Sequence, residues 1–140
     1  MAQGDGALYN EFKEQLMLGT MDMDTHTFKM ILVTGYTPNI DTHDGLSDVT
    51  AAQISGTGYT AGGATLGSLT VTKDTTNDRA AWDAADVTWN SLNAGTPSHA
   101  ILYNDSHASD CLVGYWEVTT ASNGGNYTLQ FGAAGIVTLT

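Results

Sequence analysis

Four histidines and one cysteine are the side chains best suited to chemistry in this chain: His26, His43, His99, His107 and Cys111. A zinc site needs three or four such ligands converging. His107 and Cys111 stand four residues apart, a spacing that brings two side chains together only on a helix, and their surroundings read as loop and strand. Exposed loop histidines and one buried thiol explain the same residues. Carboxylates form a second set. Asp41, Asp44 and Asp48, or Asp74 with Asp78, could offer oxygens to calcium. Neither run has the spacing and terminal glutamate of a helix-loop-helix calcium loop, so solvated turns are the expectation. Asp83 and Asp86 flank a turn between Trp82 and Trp89. Paired carboxylates beside aromatics can do glycoside chemistry, and a polar turn between strands with inward tryptophans accounts for them as well. No Gly-x-Ser-x-Gly elbow supports a serine nucleophile. The glycines between Gly56 and Gly63 precede no Lys-Ser or Lys-Thr pair, and the nearest base is Lys73, so a phosphate cradle is not expected there. The reading assigns no catalytic, metal or cofactor-binding residue, and the chain is expected not to be an enzyme.

The elements that would position these groups are mostly strands. Residues 7–18 read as a helix, with Leu8, Phe12 and Leu16 every four residues. Asp5 is its expected N-cap, and Gly19 its left-handed terminator. From Phe28 to Thr34 the chain is nearly continuously apolar, as a central strand covered on both faces would be. Ser47 or Asp48 could cap a short helix through Ile54, and a strand fits the same residues. Residues 55–67 are glycine-rich and predict an extended arm or long loop. Tyr59 inside it is either a removable interface anchor or a side chain folded back on its own sheet. Strands are expected at 68–73, 80–82, 87–89, 99–103, 111–118 and 136–140. Asn123-Gly124-Gly125-Asn126 predicts a hairpin joining 116–118 to 127–131. Short strands with frequent turns favour an all-β, antiparallel β-sandwich, jelly-roll-like, with an N-terminal α-helix. The C-terminal strand is expected to fix the end of the chain in a sheet.

Composition bounds the function. The 140 residues fit a single domain, read as 1–140. Charged residues are 14%, and 15 acids against 4 bases leave a net charge of −11. That balance argues against nucleic acid, whose phosphates need clustered lysine and arginine. One cysteine excludes an intrachain disulfide. No segment approaches the ~20 apolar residues of a membrane span, and Met1 to Gly6 are not expected to form a signal peptide.

Several segments resemble a family of small structural proteins of tailed bacteriophages. They are Ala7-Leu8-Tyr9-Asn10-Glu11-Phe12-Lys13, Met21-Asp22-Met23-Asp24-Thr25, Phe28-Lys29-Met30-Ile31-Leu32-Val33 and Tyr36-Thr37-Pro38-Asn39-Ile40-Asp41-Thr42-His43. The resemblance continues through Ala85-Asp86-Val87-Thr88-Trp89 and Gly135-Ile136-Val137-Thr138-Leu139-Thr140, and is most specific at Ser55-Gly56-Thr57-Gly58-Tyr59-Thr60-Ala61-Gly62-Gly63-Ala64. It implies a virion protein, most simply a capsid decoration (cement) protein that binds the major capsid protein and stabilises the head. It would be assembled in the host cytoplasm beside neighbouring copies of itself, as a homo-oligomer, a trimer among the choices. A head-tail connector or tail structural component is the first alternative. A carbohydrate-binding module exposed on the virion is the second. The resemblance implies no cofactor and no catalytic motif. Residues 1–20 and 55–67 are expected to supply much of the contact with partners.

Overall fold

The computed structural model describes residues 6–140. In chain order the elements are β1 (Gly6–Leu8), α1 (Asn10–Met17), β2 (Phe28–Val33), β3 (Ala64–Thr65), β4 (Thr70–Asp74), β5 (Arg79–Asp83), β6 (Val87–Trp89), β7 (His99–Asn104), β8 (Leu112–Glu117), β9 (Tyr127–Leu129) and β10 (Val137–Leu139). Every strand pairing is antiparallel. The protein is all-β with one N-terminal helix. Its strands divide into a five-stranded sheet ordered β1-β8-β7-β2-β3, a three-stranded sheet ordered β10-β5-β4, and the pair β6-β9. Three sheets do not by themselves make a two-sheet jelly roll.

The apolar run at 28–33 is the centre of the molecule, because both of its faces are covered. Phe28, Met30 and Leu32 point to one side with Ala100, Leu102 and Val113, and pack against Trp82, Trp89, Leu129 and Val137. Ile31 and Val33 point to the other side with Ile101, Tyr103 and Leu112, beneath Tyr9, Val49, Tyr36 and Ile40. Alternation with period two therefore feeds two cores from one strand. The second cover comes from the loop after β2. Its residues 46–52 form two single 3₁₀ turns, Leu46–Asp48 and Thr50–Ala52, in place of the expected short helix or strand. Asp48 holds the first turn by accepting the N–H groups of Asp44 (2.9 Å) and Gly45 (3.0 Å).

Two expectations need correction. The helix starts at Asn10, three residues later than the periodicity predicts, because Gly6–Leu8 are drawn into the sheet opposite Trp116, Tyr115 and Gly114. Tyr9 takes the N-cap position; Asp5 lies outside the described residues. The helix ends as expected. Gly19 is left-handed at φ +77°, with Gly19 N–H on the Leu16 carbonyl (3.2 Å) and Thr20 N–H on that of Gln15 (3.0 Å).

The hairpin is the second correction. β8 and β9 do not pair; β9 pairs with β6. Both edges of β8 are already taken, by β7 and by β1. The Asn123–Asn126 turn is instead tied to Leu92, which donates to the Gly125 carbonyl (2.9 Å) and accepts from Gly124 N–H (2.7 Å).

Of the two forms expected for residues 55–67, an extended arm or a long loop, the structure shows the loop, docked on the sheet. Tyr59 Oη donates to Gln53 Oε1 (2.9 Å) and accepts from Leu32 N–H (3.2 Å). Gly62 N–H also donates to Gln53 Oε1 (2.9 Å), and Tyr103 Oη donates to the Gly62 carbonyl (2.8 Å). Ala64–Thr65 then pair with β2. Of the two readings of Tyr59, the structure selects the side chain folded back on its own sheet.

Candidate functional site

The residues singled out for chemistry are scattered by the fold. His26 Nδ1 lies 2.8 Å from Nδ2 of the buried Asn104. His107 contacts Ser109 Oγ at 3.0 Å, and His99 contacts Ser98 Oγ at 3.0 Å. Cys111 is fully buried, its thiol facing the Leu112 carbonyl at 3.5 Å. Desolvation first, then Glu11 and Asp44, push that thiol up to about 12, which keeps it protonated and inert. Among the described residues no three His, Cys, Asp or Glu side chains converge as metal ligands would. The carboxylates serve turns. Asp74 accepts the N–H groups of Thr76 and Asn77 and pairs with Arg79 Nε at 2.9 Å. Asp86 accepts Phe131 N–H at 2.9 Å. Asp83 Oδ1 is buried without a hydrogen-bond partner among the described residues. Trp82 and Trp89 are core side chains, and Trp116 is half-buried.

A chain of polar contacts invisible to sequence spacing joins Tyr9, Tyr36 and His43. The two phenol oxygens lie 2.7 Å apart, and Tyr36 Oη lies 2.7 Å from His43 Nδ1. His99 packs edge-on against both Tyr36 and Tyr115. The cluster pins the covering loop to the five-stranded sheet. Burial raises the Tyr9 phenol far above its ordinary range, with Tyr36 adding to the effect. Desolvation likewise carries Tyr59, Tyr103 and Tyr127 up to about 12. Each of these groups holds its proton more tightly folded than unfolded. The stability they contribute is full below about pH 10, where free phenols titrate, and is lost as pH rises through the folded values. A pH series of thermal melts should therefore show Tm falling steeply between about pH 10 and about 12. At the acid end, Asp22 and Asp48 are held low, chiefly by hydrogen bonds from Thr25 and from the Gly45 N–H. Their contribution is lost as pH falls through the carboxylate range.

The most distinctive surface is apolar. In the three-stranded sheet, Val71, Trp82 and Val137 lie in one cross-strand row, and Lys73, Ala80 and Leu139 in the next. Opposed residues in an antiparallel sheet share a face. This face looks toward Phe12 and Leu16 of α1. The helix and sheet enclose a groove of about 160 Å³ with a wholly apolar wall, to which Met23 also contributes. Trp82 forms the floor: its Nε1–H donates to the Met23 carbonyl (2.7 Å), and its ring packs on Phe28 at 4.9 Å. The groove opens to solvent at its mouth. Val71, 56% exposed, and Leu139, 48% exposed, stand in its wall. Helical periodicity flagged Phe12 and Leu16, but nothing local placed Val71 and Leu139 beside them. Water-exposed apolar side chains gathered around a groove are the composition of a contact surface.

No helix among the described residues is long and apolar enough to cross a membrane. Comparison with protein-family models, curated proteins and solved structures gives no match.

Proposed function

We propose that the chain is a virion structural protein of a tailed phage, a capsid decoration protein that binds the major capsid protein. The observation that carries this reading is the open apolar groove between α1 and the β10-β5-β4 sheet. The groove offers shape and apolar area to another polypeptide, and burying Val71 and Leu139 there would contribute about 1 kcal/mol each. That is modest for one contact, but many copies on one shell add by avidity. The net charge of −11 keeps such a protein soluble at high copy number and away from packaged DNA. The resemblance along nearly the whole chain points the same way, and neighbouring copies on the shell would be its second partner. A position at the head-tail junction or in the tail would use the same surface.

The test is co-sedimentation with phage heads that lack the protein. The unmodified chain should pellet with heads. The double variant Val71→Asp/Leu139→Asp should bind about tenfold more weakly, because carboxylates would have to enter an apolar contact. Both side chains are already half exposed, so circular dichroism and Tm should stay close to those of the unmodified protein. Equal pelleting by the double variant would remove the groove from the account.

A further inference from the structure

The groove is the middle of a longer trough. Val71 also lines a hollow with Gly19, Met21, Asp22 and Asp24. Leu139 also lines a hollow with Lys73, Asp78 and Arg79. The trough thus has an acidic end, an apolar centre, and a far end where charges balance: Asp74 is paired with Arg79 at 2.9 Å, and Lys73 offsets Asp78. Along its side runs β4. This strand is last in its sheet, its outer edge joins no other strand among the described residues, and Thr70 to Lys73 are exposed. An open edge presents unpaired N–H and C=O groups to any strand that can align with it.

We infer that β4 receives an extended segment of a different polypeptide by strand addition, one of its alternate apolar side chains lying beside Val71 at the margin of the trough and a lysine or arginine lying at the Asp22–Asp24 end. Alternation follows from strand geometry, which turns every second side chain to one face. The cation follows from charge complementarity. A second copy of this chain is the poorer occupant. It brings 15 acids and 4 bases; Lys29 and Arg79 are already paired with Asp105 and Asp74, Lys13 donates to Asn10, and Lys73 sits at the charge-balanced end of this same trough. The inference rests on the reading of the chain as a polypeptide-binding protein and specifies how the partner is held.

The experiment uses an array of synthetic extended hexapeptides, with Val or Ile at alternate positions and either Lys or Glu at one end. Binding is followed by backbone amide shifts of the full chain. Lys-ended peptides should shift residues 70–74 and 19–24, and Glu-ended ones should bind about threefold more weakly. Methylating alternate peptide nitrogens should weaken binding about tenfold, because the side chains remain while the ladder is lost. Asp24→Lys, at an exposed position, should reverse the Lys-over-Glu preference. No shift at residues 70–74 with any peptide, or equal binding after N-methylation, would overturn strand addition. Equal binding of Lys- and Glu-ended peptides would overturn the charge assignment. Head co-sedimentation is read separately: a chain that pellets with heads but ignores the array keeps the virion reading and loses this inference, and the reverse result does the opposite.

Discussion

Gly63→Ala should destabilise the protein by about 3 kcal/mol or more, lowering Tm by about 10 °C. Gly63 sits at φ +78°, and a Cβ built there would lie 2.0 Å from the Met30 carbonyl oxygen. Two penalties coincide: a left-handed backbone that alanine resists, and an overlap with backbone that cannot rotate away. Relief requires the 55–67 loop to lift from β2. That movement would break the β3 pairing and the Tyr103–Gly62 contact. Gly67→Ala is the matched control, since a Cβ there meets nothing within 4 Å. Scanning calorimetry of the two variants separates a docked loop from an arm. A free arm would leave both melts unchanged.

Trp82→Ala should cost about 4 kcal/mol, the range for emptying a buried tryptophan site. Trp82 is 3% exposed, packs against Phe28 and supplies the floor of the groove. Chemical denaturation would read the loss as a lower midpoint. Trp82→Phe should recover much of the packing but leave the Met23 carbonyl without its indole donor, so its midpoint should fall between the two. A position outside the core would show neither loss.

These effects mark where local pattern was informative. The apolar run at 28–33 announced a strand with two covered faces, and β6 fell where Val87–Trp89 predicted it. Gly19 ended the helix through a contact within five residues of itself. Such features depend on neighbours in the chain. What could not be read depends on partners far away. Asn123-Gly124-Gly125-Asn126 has the chemistry of a hairpin, but pairing with β8 required a free edge, and β1 and β7 occupy both. The start of α1 was masked because Leu8 fits a helical stripe and a sheet edge equally well. The glycine-rich loop looked unanchored because its restraints come from Leu32, Gln53 and Tyr103. The groove belongs to the same class. Val71 and Leu139 are ordinary strand residues until β5 aligns them beneath α1.

The central claim is that this chain works by fitting against other polypeptides in an assembled particle. If the proposed function holds, a cryo-electron-microscopy map of phage particles that carry the chain tests this most directly. The account predicts repeated density for this fold in the particle, on the head for a decoration protein, with the trough between α1 and β4 filled by a neighbouring chain. A map of complete particles without that density, or with the fold present and the trough facing open solvent, would contradict it.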